Sequence, residues 1–336
     1  MAETAIIIPV YATAENSRCS FLQQTLRSVA RQNYVDFTCL VVDDGSPDKG
    51  VEDIVNGYAQ ADQRFRYLYR ERKPTDKVTA SNARNRGLEE MLNPEGILAG
   101  TEFVTFLDSD DLLPRKSLEA RVDYLKQHQD AGAVYSDFLL FKGNSPVRYS
   151  KASSAKGEKL LREEIEYVAF SPLTLMWRRT LIEMINELRA LNGNCRVFNP
   201  EITFGEDRDV AISTLKTALQ VPYSIGYVRQ PLRYYRNHPH SVVNTTPIEI
   251  KKADIMLLSE IYEGYNKRYD VELKRRLLRP YVLLPEPVKR VLRPLRNELL
   301  AYLGNIFRSD DNVCHELDSL SKGSSYTNST STSSAS

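Results

Sequence analysis

Between Ala5 and Leu140 the chain alternates short apolar runs with stretches of helical period, and several of the apolar runs end in polar clusters. Ala5 to Val10 reads as a buried strand, Phe21 to Arg31 as a helix with Leu22, Leu26 and Val29 on one side, and Phe37 to Val42 as a second strand. A helix from Val51 to Tyr58, a strand at Phe65–Tyr69, a helix over Ala80–Met91 and a strand at Phe103–Leu107 continue the series. A helix at Ser117–Gln127 and a strand at Ala133–Leu140 complete it. Strands separated by helices pair in parallel, because a parallel neighbour requires a crossover connection. The unbroken apolar character of the first, second and fourth strands fits burial on both faces. The predicted fold is therefore α/β, a Rossmann-like, mostly parallel sheet with flanking helices. In such sheets ligands bind outside the carboxyl ends of the strands.

Those ends carry the chemistry. The first strand runs into Pro9-Val10-Tyr11, the second into Asp43-Asp44-Gly45-Ser46, and the fourth into Asp108-Ser109-Asp110-Asp111. Two aspartate clusters in one crevice are electrostatically costly unless a cation or hydrogen-bond donors offset them. Hard oxygen ligands suit Mg²⁺ or Mn²⁺ carrying substrate phosphates. Turn formation and helix capping would account for either cluster taken singly.

With these residues in order, the chain resembles the family 2 glycosyltransferases. The blocks are Ile6-Ile7-Ile8-Pro9-Val10-Tyr11, Val41-Val42-Asp43-Asp44-Gly45-Ser46-Pro47-Asp48, Ala83-Arg84-Asn85-Arg86-Gly87-Leu88 and Phe106-Leu107-Asp108-Ser109-Asp110-Asp111. Gly205-Glu206-Asp207 and Tyr235-Arg236-Asn237-His238 are similar to two further family motifs, so the likeness covers roughly residues 5 to 242. It implies a GT-A fold and an inverting, metal-assisted transfer from a nucleotide sugar, UDP-linked, to a glycan, lipid-linked or other hydroxyl acceptor. It implies that Pro9, Tyr11 and Asp44 line the base pocket, with Arg84 at the donor site. Asp108 would reach the ribose, and Asp110, with His238, would hold the Mn²⁺ or Mg²⁺ ion. Asp207 would be the general base with Glu206 beside it, and Arg236 and His238 would close over the diphosphate. Two departures stand out: Ala12 where the family usually has Asn, followed by an extra polar stretch from Thr13 to Ser20, and a longer segment around Asn93 to Gly100. Surface placement would explain Arg84 and His238, and helix-dipole preference would explain Glu206-Asp207.

The implied organisation is a nucleotide-sugar-binding half over 1–140, an acceptor and catalytic half over 141–246, a basic helical region over 247–308 and a Ser/Thr-rich tail over 309–336. Residues 141–160 read as a mobile loop, with helices at Leu173–Leu188 and Arg208–Ala218. Between Lys267 and Arg296 ten Lys/Arg face three acidic residues, a net +7, and Val288 to Leu303 adds an apolar stripe. Such a region over 267–307 suits an anionic membrane surface or a helix packed on the catalytic domain with a solvated basic face. Overall, 45 Lys+Arg against 44 Asp+Glu leave no field that demands a nucleic acid. Ile6-Ile7-Ile8 is far shorter than the roughly 18 apolar residues of a membrane span, and no basic flank of a signal peptide precedes it. The expected location is cytoplasmic, with peripheral attachment at the inner face of a membrane as the extension that the basic region raises. Cys19, Cys39, Cys195 and Cys314 form no CxxC pair and read as reduced thiols. No G-x-G and no P-loop occurs, which excludes a dinucleotide oxidoreductase. A nucleotidyltransferase would want glycine after the first strand, where Pro9-Val10-Tyr11-Ala12 has none. A catalytically silent membrane scaffold is disfavoured by the presence of Asp110 and Asp207.

Overall fold

The computed structural model describes residues 2–265 apart from 17, 78, 167, 192–195, 222, 263 and 264. The basic stretch 267–307 and the Ser/Thr-rich tail lie outside the described residues. The elements run β1 (Thr4–Val10), α1 (Arg18–Ala30), β2 (Phe37–Asp43), α2 (Gly50–Ala61), β3 (Phe65–Tyr69), α3 (Ser81–Leu92), β4 (Phe103–Phe106), α4 (Ser117–Gln127) and β5 (Ala131–Lys142). Then follow β6 (Ser145–Ser150), α5 (Gly157–Glu166), β7 (Met176–Arg178), α6 (Arg179–Leu191), α7 (Glu206–Gln220), β8 (Ser224–Arg236), α8 (Val242–Thr245) and α9 (Ile248–Ile261). They build one eight-stranded sheet in the order β3-β2-β1-β4-β7-β5-β6, with β8 paired to β5.

The four strands β3, β2, β1 and β4 are parallel to one another, as their alternation with helices requires. Ile6, Ile7 and Ile8 of β1 and Leu40, Val41 and Val42 of β2 are fully buried. Successive side chains point to opposite faces, so the sheet feeds two cores. Ile7, Leu40 and Val42 pack with α3 and α7, and Ile6, Ile8 and Val41 with α1, α2 and α4. Each such side chain contributes about 1.5–3 kcal/mol of transfer free energy, which makes the central strands the rigid frame. The order 2-1-4 places the switch in strand sequence at β1, where ligand crevices form in open α/β sheets.

The second half departs from the sequence expectation. The helix expected at Leu173–Leu188 is a short 3₁₀ turn (Pro172–Thr174), then β7, then α6. Leu175, Met176 and Trp177 are buried because β7 fills the gap between β4 and β5, antiparallel to both. So short an apolar run carries no period that separates strand from helix. The loop expected over 141–160 is instead a hairpin, with β6 antiparallel to β5, followed by the start of α5. Among the described residues no helix is long and apolar enough to cross a membrane.

Candidate functional site

A cavity of about 330 Å³ opens at the carboxyl ends of the central strands. Pro9 and Tyr11 reach it from β1, Asp44 from β2, Asp108 and Asp110 from β4, and Glu206 and Asp207 from the first turn of α7. Eight of the ten residues singled out in the sequence thus line one space. Arg236 and His238 do not line it; they stand behind Asp110.

Helix α3 sets one wall. A Cβ on Gly87 would lie 2.5 Å from Ile7 Cγ2, so only glycine lets this helix approach β1 so closely. That approach delivers Arg84, whose guanidinium donates to Asp108 Oδ1 at 2.8 Å and to Glu206 Oε1 at 3.0 Å. Its charge is firmly held: burial alone would lower the arginine pKa, but the two carboxylates raise it. Asn85 exchanges two hydrogen bonds with the backbone of Phe198, fixing the next loop against the same helix.

The segment after β4 divides its aspartates between wall and cavity. Asp111 faces inward, accepting Arg233 Nε–H and the Arg236 backbone N–H, each at 2.9 Å. Burial and its neighbours Asp110 and Asp108 push its carboxyl up to about 7, against the pull of Arg233. Arg236 donates to the Asp110 carbonyl at 2.6 Å and to Gln24 at 3.0 Å, held between the rings of Phe21 and Phe141. It therefore fixes the Asp110 backbone. Asp110 Oδ2 meets His238 Nε2 at 2.7 Å and the guanidinium of Arg18. Burial would raise the Asp110 pKa, but these two partners hold it well below the ordinary carboxylate range.

At the far end, Asp44 Oδ1 accepts Arg70 at 2.5 Å, and Arg72 lies 3.6 Å from Asp44 Oδ2 with its guanidinium 4.7 Å above the Tyr11 ring. Gly45, at φ 74°, turns the chain there, in the left-handed region that glycine adopts freely. Sequence reading missed Arg18, Arg70 and Arg72. The end of β3 opens on the same crevice as its neighbours, so the strand-end rule already pointed at residues 70–72.

Residues 5–190, more than half of the chain, match the family described as Glycosyl transferase family 2. The chain belongs to that family. Glycosyltransferase GlyG of Streptococcus pneumoniae is 27% identical over 274 residues, covering 79% of this chain and 78% of that one. An uncharacterized glycosyltransferase of Haemophilus influenzae is 35% identical over 124 residues, 37% of this chain and 42% of its own length. Of solved structures, S. aureus TarS 1-349 in complex with UDP-GlcNAc aligns over 95% of this chain and 90% of that one, with TM-score 0.54 and 15% identity. The architecture is that of the GT-A neighbours.

Within this family member, the acidic pair opposite the strand ends is built by α7. Gly205, at φ 94°, precedes the helix, and the loop before it is tied to α9 by Thr203 and Phe204 N–H donating to Asp254 Oδ2 at 3.1 and 2.8 Å. Glu206 and Asp207 sit at the positive end of the helix dipole. Burial nevertheless raises both, Glu206 to about 7, with Arg84 opposing the shift in each case. A carboxylate whose affinity for a proton is raised in this way suits proton abstraction.

Asp108, Asp110 and Asp111 bring one carboxylate oxygen each within 4.8 Å of one another. Asp111 is committed to Arg233 and the backbone and Asp108 Oδ1 to Arg84, whereas Asp110 and the second oxygen of Asp108 face the cavity. His238 Nδ1 is buried without a hydrogen-bond partner. The 2.7 Å between His238 Nε2 and Asp110 Oδ2 is close to the roughly 3 Å separating adjacent ligands of an octahedral ion at about 2.1 Å. The donor set that could hold a divalent cation is thus the aspartate cluster, with Asp110 the member that also meets His238.

Proposed function

We propose that the protein transfers a sugar from a nucleoside diphosphate sugar, UDP-linked, to a hydroxyl of a glycan or lipid-linked acceptor, with inversion at the anomeric carbon. One observation carries this reading: a single cavity is lined both by strand-end residues Pro9, Tyr11, Asp44, Asp108 and Asp110 and by Glu206-Asp207 of α7. TarS, whose fold is shared, was solved with UDP-GlcNAc bound. A Campylobacter jejuni relative, 24% identical over 185 residues, is named GalNAc(5)-diNAcBac-PP-undecaprenol beta-1,3-glucosyltransferase. Both support the donor and acceptor classes.

Tyr11 and Asp44 receive the base and Asp108 the ribose. Asp110 and His238 would hold a divalent ion, Mn²⁺ or Mg²⁺, which would supply Lewis-acid neutralisation of the leaving diphosphate. Asp207 takes the proton of the acceptor hydroxyl while that oxygen bonds to the anomeric carbon and the bond to the diphosphate breaks. Attack from the face opposite the leaving group inverts the centre, as in inverting glycosidases. Glu206, paired to Arg84, holds the guanidinium in place.

For residues 267–307 we propose peripheral attachment to an anionic membrane on the cytoplasmic side, on the strength of the net +7 of residues 267–296. Co-sedimentation with anionic vesicles across a salt series tests this; protein that stays in the supernatant at low salt overturns it.

The activity is tested by incubating the protein with a panel of UDP- and GDP-sugars and Mn²⁺, following nucleotide release and thermal shift, with a chelator as control. Metal-dependent UDP release and a raised melting temperature are expected with one UDP-sugar. Neither effect with any donor overturns the reading.

A further inference from the structure

Arg18 has no part in the proposed transfer, yet it opens α1 within the extra polar stretch that follows β1. Asn16 holds it there: its Oδ1 accepts the N–H groups of Thr13 at 3.1 Å and Arg18 at 3.2 Å, and its Nδ2 donates to the Tyr11 carbonyl at 3.0 Å. The Arg18 side chain is 15% exposed at the cavity wall and pairs with Asp110 Oδ2, the oxygen that His238 also reaches.

Among the described residues, the other arginines that line the cavity are committed. Arg84 is divided between Asp108 and Glu206, and Arg72 between Asp44 and the Tyr11 ring. Arg18 is thus the permanently charged partner of Asp110, beside His238, and a metal ion on Asp110 would compete for the same oxygen. A guanidinium displaced from Asp110 remains beside the anionic diphosphate, for which its planar donor fork is well suited.

We propose that Arg18 is an exchangeable counter-ion: it pairs with Asp110 in the empty enzyme, opposes metal binding without nucleotide, and transfers to the diphosphate when metal and donor bind together. The inference rests on the metal and donor reading given above. It makes metal and nucleotide binding cooperative.

The test compares the full chain with Arg18→Gln and Arg18→Lys, each first shown to melt with the wild type. Mn²⁺ alone is titrated by the loss of its free-ion resonance signal, and UDP with saturating Mn²⁺ by calorimetry. Arg18→Gln should bind Mn²⁺ alone about fivefold more tightly, the scale of one partly exposed ion pair. It should bind UDP about tenfold more weakly, and Arg18→Lys should fall between. If wild type binds UDP with Mn²⁺ but Arg18→Gln leaves either affinity unchanged, this inference alone is overturned. If wild type fails to bind UDP with Mn²⁺, the donor reading falls and takes the inference with it.

Discussion

Arg84 and Glu206, 122 residues apart in sequence, meet at 3.0 Å, and the same guanidinium reaches Asp108 at 2.8 Å. One arginine therefore joins the end of β4 to the start of α7. Glu206 spends an oxygen on this tie, whereas among the described residues Asp207 accepts only the adjacent Arg208 N–H, at 2.9 Å, and faces the cavity.

The tie divides the acidic pair by role. Asp207→Asn keeps the shape and removes the base, so turnover should fall about 10²–10⁴-fold. Glu206→Gln keeps an acceptor for Arg84 and should lose less. Calorimetric UDP affinity should be the same in Asp207→Asn as in wild type, because the base acts on the acceptor. Near wild-type turnover in Asp207→Asn would move the base elsewhere.

Asp110 combines a depressed pKa with partners that a cation can replace. Asp110→Asn removes the charge while retaining much of the hydrogen bonding to His238. UDP affinity with Mn²⁺ should drop at least about tenfold, the scale of a charge-assisted contact, while affinity without metal changes little. Titration with and without a chelator checks both; equal metal dependence in wild type and variant would remove Asp110 from the metal site.

The half of the site on β1, β2 and β4 was legible because those strands are buried on both faces and end in short polar clusters. The rest was hidden for local reasons. Arg70 and Arg72 follow β3 in a run of charged residues whose sequence alone does not show which of them turn into the crevice. Arg233 is buried in β8 because Asp111, 122 positions earlier, and the carbonyls of Phe106 and Leu173 accept from its guanidinium, and no pattern within β8 announces those pairings. The strand itself mixes polar and aromatic residues, with exposed Ser224 and buried Tyr234 on one element, so it shows no clean alternation. Asp254 of α9 supports the loop before α7 from about fifty residues downstream, which no local reading could supply.

Gly87 tests how tightly the α3 wall is set. In Gly87→Ala the new methyl must displace Ile7, a fully buried residue of β1, or push the helix outward. Overpacking of this kind costs about 1–3 kcal/mol. Urea denaturation should show that loss, and UDP affinity should weaken as Arg84 shifts with the helix. Unchanged stability would mean that α3 moves freely on the sheet.

Glu164 should give the fold a pH dependence of its own. It is fully buried, accepts the N–H groups of Ala169 at 2.8 Å and Phe170 at 3.4 Å, and lies 3.5 Å from Arg208. Burial outweighs these partners and pushes its carboxyl up to about 8, from 4.5. Between those values the folded protein keeps a proton that the unfolded chain has released. Stability contributed by the protonated form is thus fully present below about pH 4.5 and is lost as pH rises towards 8. One retained proton corresponds to a slope of at most about 1.4 kcal/mol per pH unit. Glu206, raised to about 7, adds a slope of the same sign up to that pH. Glu164→Gln keeps the acceptor for the two N–H groups and removes the titration, so its unfolding free energy should fall less steeply from pH 5 to 8 than that of wild type. Parallel pH profiles for the two proteins would show that Glu164 is ionised in the folded state and that Arg208, not burial, controls it.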